Sequence, residues 1–461
     1  MFLIHNFSLL RKLAEATPNY DQIAFFLVLG YFILKKHILT PRAVDSSKIA
    51  AVRALAKLTK EQVPEIVNLA YNEKNVTFGK TYIIPKPLDP RLITTVSPAV
   101  AKAAMDSGVA QIQITDWEEY RQKLLARLGK ESNFLSAIGN KARENPKRVV
   151  FSEADNYKIL RSAQIVKDEG IAIPILLGKK EKILQIIAEN NIKLEGVQII
   201  DPREEEEKRN EYAEWFYKKR QRRGISLYEA KKMMHDRHYF APMMVEFGEA
   251  DAVISGLTKN YPTTIKPALQ IFGKQEGINK VAGMYIMLTN KGTLFFSDTT
   301  VTINPTQEDL VDITILTYNA VKNFNIKPRI ALLSYSNFGS SPGETPTKMA
   351  EVRRILKERH PAMVVDGDIQ ANVALNQKML RENFPFSELC GDPVNTFIFP
   401  KLSSGNIAYK LLQELGAAEA VGPVVLGLKK SAHVLQLGSS VREIVNMVSI
   451  AVVDAQAKEG K

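Results

Sequence analysis

The stretch DPVNTFIFPKLSSGNIAYKLLQELGAAEAVGPVVLGLKKSAHVLQLGSSVRE, residues 392–443, decides the reading of this chain. Residues 395–399 carry the β-branched and aromatic run of a buried strand. Ser403, Ser404 and Gly405 read as a small polar turn, and residues 406–415 have helical period. A strand that passes through such a turn into a helix makes an anion site, because the first N–H groups of the helix have no internal partner. A second loop, residues 430–440, ends in Gly438, Ser439 and Ser440 ahead of another helix. What this second loop contains decides the chemistry.

Upstream, the pattern repeats. From Arg148 onward VVFSEA, IAIPILLG and VQIID read as strands, separated by the helical runs ILRSAQIVKDEG and residues 179–190. Alternating strands and helices of this length imply a parallel sheet covered on both faces. Residues 204–219 are so charged that they read as a solvated helix, ending in the cluster Lys218, Lys219, Arg220, Arg222 and Arg223. Part of that cluster suits a helix C-terminus, but five cations in six residues exceed what capping needs and point to anion attraction. ADAVISGLTKNYPTTIKPALQIFG, residues 250–273, is a strand, a polar loop and a helix, with Lys259 and Lys266 on either side of the helix start. Open α/β sheets bind ligands at such strand ends. Asn290 and Lys291 before Gly292 mark a hairpin, and Thr306 with Asp309 marks a helix cap. ALLSYSNFGSS, residues 331–341, supplies a hydroxyl-rich loop with Ser334, Ser336, Gly339 and Ser340. Asp366 and Asp368 are too few oxygen ligands for a metal site, and none is expected.

The totals narrow the function. The 461 residues exceed one ordinary core, so two or three domains are expected. With 45% hydrophobic and 24% charged residues the composition is that of a soluble globular protein. The net charge of +12 accompanies no nucleic-acid-binding signature, so a phosphate-bearing small molecule is the better partner. The single cysteine, Cys390, forms no internal disulfide, which fits a reducing cytoplasm, and it reads as a buried, inert thiol.

Residues 1–41 differ from the rest. IAFFLVLGYFIL, residues 23–34, is an apolar run too short for a spanning helix, which needs about 20 residues. It reads as a strand of an incomplete domain or a non-native start, and no membrane partner is expected. A helix follows over residues 46–58. Pro85, Pro87 and Pro90 then break an extended connector. Pro98 reads as the first turn of a helix that Gly108 ends. Residues 117–128 form an amphipathic helix, and 129–147 a linker helix and boundary.

The runs AAVRALAKL, FGKTYIIPKPLDPRL and PAVAKAAMDSGVA closely resemble the end of the cofactor-binding domain of bacterial malic enzymes, over residues 42–128. The resemblance places that family's catalytic tyrosine and lysine, metal-binding acids and dinucleotide glycine loop upstream of Met1. NADP and a divalent metal would then belong to that upstream part, and this chain is expected not to oxidise malate by itself. From residue 148 onward the chain resembles the phosphate acetyltransferase family. The motifs are SEADNYKILRSAQ, GEADAVISG, KPALQI, FSDTTV, LLSYSNFGSS, VVDGDIQAN, FPKLSSGNIAYKLLQELG and GAAEAVGPVVLGL. The family implies an α/β fold of two subdomains with parallel-rich sheets and a cleft that binds coenzyme A esters, commonly as homodimers. Here it implies one subdomain from residues 148–277 plus 424–461 and another from 278–423, preceded by the Rossmann-like malic remnant.

The resemblance fails in the second loop. Where the family has lysine-proline-valine-asparagine-aspartate-leucine-serine-arginine-glycine, this chain has Lys430 to Gly438 as KSAHVLQLG. Gln436 stands at the serine position, Leu437 at the arginine position, and Glu443 at the position of an acidic base. Of two further family arginines, one matches Arg220 and the other falls on Lys266, which keeps charge but loses the bidentate fork. Losing an arginine from a phosphate site removes charge-assisted hydrogen bonds worth about 1.5–3 kcal/mol each. Acyl transfer is therefore expected to be absent or very weak. His433 could stand in as base, but a lone histidine is more often a packing residue.

Three readings follow. The first is a regulatory and oligomer-forming module of a malic enzyme that binds acetyl-coenzyme A, with Arg220, Lys259 and Lys266 for its phosphates and Ser334, Ser336, Gly339 and Ser340 facing them. The second is an active phosphate acetyltransferase with Arg220 and Glu443 at work. The third is a malic-enzyme subunit active only as part of the whole.

Overall fold

The computed structural model describes residues 41–461 apart from positions 62, 64–66, 68–70, 72–75, 88, 127–129 and 460–461. The reading of residues 1–40 lies outside the described residues. The chain falls into two compact units, Met1–Gly129 and Lys130–Lys461.

Among its described residues the first unit holds the helices α1 (Pro41–Lys60), α2 (Arg91–Asp106) and α3 (Trp117–Ala126). α1 and α2 pack together. Tyr82 is buried against Val63 and Val67. Asp89, 2% exposed, accepts from Arg91 Nη2 at 2.6 Å. Pro98 does not open α2 but lies inside it. Inside a helix the proline makes no N–H bond of its own, and its ring crowds the carbonyl four residues back.

The second unit begins with α4 (Lys130–Glu144), β1 (Lys147–Phe151), α5 (Tyr157–Asp168), β2 (Ala172–Leu177), α6 (Lys180–Glu189) and β3 (Gln198–Ile200). It continues through α7 (Glu206–Arg220), α8 (Leu227–Met233), α9 (Arg237–Glu246), β4 (Ala252–Ser255) and α10 (Tyr261–Ile271). Next come β5 (Ala282–Thr289), β6 (Gly292–Ser297), α11 (Gln307–Asn323), β7 (Ile330–Leu333), α12 (Glu344–Arg359) and β8 (Val365–Ile369). Last are α13 (Ala371–Ala374), α14 (Gln377–Asn383), β9 (Thr396–Ile398), α15 (Leu402–Glu414), β10 (Ala418–Leu426), β11 (Ser431–Val434) and α16 (Val441–Lys458).

Two sheets result, as the α/β reading requires. The first is wholly parallel, in the order β11-β4-β1-β2-β3. The second is mixed, in the order β10-β5-β6-β9-β7-β8, with β10, β5 and β6 antiparallel and β6, β9, β7 and β8 parallel. Strand residues alternate between faces. Val149 and Phe151 of β1 enter one cluster with α4, α11, α16 and the strands β5 to β7. Val150 enters another with α7, α9 and α10. The chain thus returns to its first sheet at its end: β11 pairs with β4, and α16 packs on that sheet.

Four further expectations are corrected. The span 129–147 is not a linker, because Phe134, Ile138 and Ala142 of α4 enter the main core. Helix α7 is not a solvated helix, because Tyr212 and Phe216 are fully buried on one side of it. Its charges hide a narrow apolar face. Ser403, Ser404 and Gly405 are not a turn but the first residues of α15. A Cβ on Gly405 would lie 2.8 Å from Asp298 O, so glycine lets the helix start press against the loop after β6. Cys390 is half-buried rather than buried.

Candidate functional site

The register of the first sheet fixes where its loops meet. Phe151 pairs with Ile254, and Val434 with Ser255. The loops that follow β1, β4 and β11 therefore emerge side by side at the carboxyl edge, where open α/β sheets bind ligands.

Glu153 organises the first two loops. It is 1% exposed. Its Oε2 accepts from the Gly256 and Leu257 N–H groups, each at 2.7 Å. Its Oε1 accepts from the Thr258 N–H at 3.0 Å and from the Thr258 hydroxyl. Three consecutive N–H groups converging on one carboxylate form a nest of the kind that elsewhere holds an anion. Gly256 makes the turn possible, with φ +97° and Val434 Cγ1 only 2.7 Å from a would-be Cβ. Beside it, Asp155 accepts from Arg237 Nη1 at 2.5 Å and Lys182 Nζ at 3.1 Å. Burial alone would raise the Asp155 carboxyl, but those two cations hold it below the usual range.

The third loop crosses to the second sheet. Gln436 Nε2 donates to Tyr285 Oη of β5 at 2.8 Å and to Gly422 O of β10 at 3.3 Å. Tyr285 stacks on Tyr409 of α15, with centroids 3.9 Å apart. Burial first, then the Tyr409 hydroxyl and farther off the Glu443 carboxylate, push the Tyr285 phenol far above its ordinary range. It stays neutral and accepts the amide. Glu443 is the third residue of α16 and closes a capping box: its Oε2 accepts from Ser440 N–H at 2.7 Å, and its own N–H donates to Ser440 Oγ at 3.2 Å. Lys158 Nζ holds the loop from below through Gly438 O at 2.9 Å and Ser439 O at 3.0 Å. Leu437 is 65% exposed.

The remaining candidates are distributed. Lys259 pairs with Asp236 at 3.2 Å. Lys266 is exposed on α10. Arg220 ends α7, and its Nε is buried without a partner among the described residues. Burial, then Arg223, lowers its pKa, while Tyr239 opposes the shift. The structure places Gln436 on the loop after β11 and Glu443 in the helix turn that follows it, but joins none of the three cations to either by a hydrogen bond or ion pair among the described residues. In the loop after β7, Ser336 Oγ accepts from Ser341 N–H at 3.1 Å, and Ser340 Oγ accepts from Asn337 N–H at 3.0 Å. The Gly339 N–H donates to Asp368 Oδ1 at 3.1 Å, and Ser334 Oγ accepts from Ser336 N–H at 3.3 Å.

His433 is not a base at the site. It is 1% exposed on β11, its Nδ1 accepts from Val425 N–H at 3.3 Å, and its Nε2 lies 3.3 Å from Asp454 Oδ2. Glu153, Lys158 and the Tyr285–Tyr409 pair escaped the sequence reading. Glu153 had a local signal, an acid directly after a strand. The tyrosines had none, because their partner lies over 100 residues away in the chain.

No helix among the described residues is long and apolar enough to cross a membrane. Over 416 residues the chain is 38% identical to the NADP-dependent malic enzyme of Haemophilus influenzae, a match covering 89% of this chain and 55% of that protein. The chain spans about half the length of that relative. It is 35% identical over 323 residues to the phosphate acetyltransferase of Helicobacter pylori, covering 70% of this chain and 62% of that protein. A crystal structure of a phosphotransacetylase from Streptococcus pyogenes superposes with a TM-score of 0.67 at 32% identity, over 71% of this chain and 98% of the other. The family model for phosphate acetyl/butaryl transferase matches residues 133–452. Motif, sheet order and solved relative agree, and the chain belongs to the phosphate acetyl/butaryl transferase family.

Proposed function

We propose that the second unit binds acetyl-coenzyme A and serves as a regulatory, oligomer-forming module of a cytoplasmic NADP-linked malic enzyme, with its transferase chemistry lost. One observation carries this reading. The two side chains that the reaction would need free are bound into the scaffold. Gln436 spans from the first sheet to Tyr285 and Gly422 of the second, and Glu443 caps α16. A base must reach the proton it removes, and an anion must find donors not already taken. The chain still carries groups able to hold phosphates: the strand-end loops, the helix start at Asn260 and the cations Arg220, Lys259 and Lys266. Malic enzymes at up to 38% identity supply the parent context.

Calorimetric titration with acetyl-coenzyme A tests the reading. Saturable binding is expected, with no acetyl phosphate formed when phosphate is added. Absence of any binding heat rejects it.

The competing reading, an active phosphate acetyltransferase, is favoured by the family itself and by the survival of Arg220 and Glu443. It requires acetyl phosphate to form in that same experiment.

For assembly, the support is an apolar stripe along α15 and its C-cap, Leu415. Ile407, Leu411 and Leu415 follow one another at four-residue intervals and are 58%, 55% and 78% exposed. Such a stripe fits a second copy of this chain. Leu411→Lys puts a charge at its centre, and light scattering should show the dimer shifting to monomer with unchanged circular dichroism. An unaltered mass would remove α15 from the interface.

A further inference from the structure

Away from the carboxyl edge of the first sheet, a cavity of about 980 Å³ lies between the loop after β7, α12 and β8. Two aspartates of β8 line it, and they differ. Asp366 is saturated: Oδ1 accepts from Arg353 Nε at 2.9 Å and Gly367 N–H at 3.0 Å, and Oδ2 from Ser387 Oγ at 2.8 Å and Glu388 N–H at 3.3 Å. Asp368 is 2% exposed, and only its Oδ1 is used, by the Gly339 N–H. Its Oδ2 is buried without a donor among the described residues. A buried carboxylate oxygen left unpaired is costly, so this wall calls for an N–H or O–H.

An aromatic pair also lines the cavity, beside this aspartate: the Phe338 N–H donates to Asp368 O at 2.7 Å. Phe338 and Phe386 meet edge to face with centroids 5.0 Å apart. Phe386 is 69% exposed. Phe338 has φ +49°, a backbone region that a bulky side chain rarely enters, and such outliers concentrate at ligand sites. The cations of this cavity are already matched. Arg353 is paired with Asp366, and Arg354 with Glu351 and Glu358. The group still wanting a partner is an acceptor, so the cavity favours a hydrogen-bond donor over a phosphate, and the exposed Phe386 ring favours a flat one.

We propose that this cavity binds an amino-substituted aromatic heterocycle of the adenine type, stacked on the exposed Phe386 ring with its amino group donating to Asp368 Oδ2. Such a ring could arrive as a free nucleoside or as the adenine end of a coenzyme A ester. The inference does not depend on the acetyl-coenzyme A reading, because the nucleoside tests it alone.

The experiment is ligand-observed NMR and calorimetry on the full chain with adenosine, inosine, coenzyme A and 4′-phosphopantetheine. Adenosine should bind and inosine should not, since inosine presents a carbonyl to the carboxylate. Phe386→Ala removes an exposed ring at no cost to the core and should weaken adenosine about tenfold. Asp368→Asn keeps an acceptor for Gly339 but can turn a donor toward the ligand, so the preference should reverse toward inosine. A merely structural Asp368 would not swap specificity. If Phe386→Ala also weakens coenzyme A and leaves phosphopantetheine unchanged, the ring comes from the coenzyme. If coenzyme A is indifferent while adenosine responds, the ligand is a free nucleoside. Adenosine failing to bind, or inosine binding equally well to the native chain, overturns the proposal, and coenzyme A binding elsewhere would still stand.

Discussion

Gln436→Ser combined with Leu437→Arg should raise acetyl transfer from acetyl-coenzyme A to phosphate by two orders of magnitude or more over a native chain that shows almost none. Leu437 is 65% exposed, so an arginine there displaces nothing from the core. It would add a full charge and a planar fork of donors at the family's phosphate position. A charge-assisted hydrogen bond is worth about 1.5–3 kcal/mol, and about 1.4 kcal/mol is tenfold in rate. Serine at 436 releases Tyr285 Oη and Gly422 O and reopens the path between the sheets. The gain should stop short of a fully active enzyme, because Glu443 remains tied to Ser440. A thioester absorbance assay reads it directly. If the native chain is already fast and the double variant gains nothing, the loop is competent as it stands and the regulatory reading fails.

Glu153→Ala should severely destabilise the second unit, costing about 3–5 kcal/mol of its stability. Two buried N–H groups, the part-buried Thr258 N–H and the Thr258 hydroxyl lose their acceptor together, and each buried donor left unpaired costs about 1–3 kcal/mol before water enters. Glu153→Gln keeps one acceptor oxygen and should fall between. The chain has two tryptophans, so a Trp117→Phe background leaves Trp215 of α7 as the reporter of this unit in urea. A midpoint unmoved by Glu153→Ala would mean that the Gly256–Thr258 loop holds its shape without the carboxylate. Acetyl-coenzyme A affinity should fall with the same substitution, since Lys259 and the Asn260 cap of α10 ride on that loop.

What the sequence disclosed was local. The hairpin at Asn290 and Lys291 and the Thr306–Asp309 capping box stand where turn and cap chemistry put them. The strand–helix alternation and the family motifs carried the two-sheet fold. Contacts made at a distance stayed hidden. Gly405 looks like a turn residue, and only the approach of Asp298 explains a glycine inside a helix. Residues 129–147 look like a spacer, because an amphipathic helix does not announce which core receives it. The Gln436 substitution was visible, but its partner Tyr285 was not, because no local pattern links residues 151 positions apart. The cations were legible as residues and illegible as a constellation. Their charge is written in the chain, and their separation is written only in space.

The pairing of β11 with β4 has a consequence for biosynthesis. Ser431–Val434 closes the open side of a sheet whose other strands are complete by Ser255, and α16 covers it from one side. While the ribosome is still making the intervening residues, the nascent first sheet has an uncovered β4 edge and an uncovered apolar face. Such surfaces attract other chains, so the nascent chain is open to misassociation until residues 431–458 emerge. Premature termination before that point leaves a substrate for proteolysis rather than a shorter working domain.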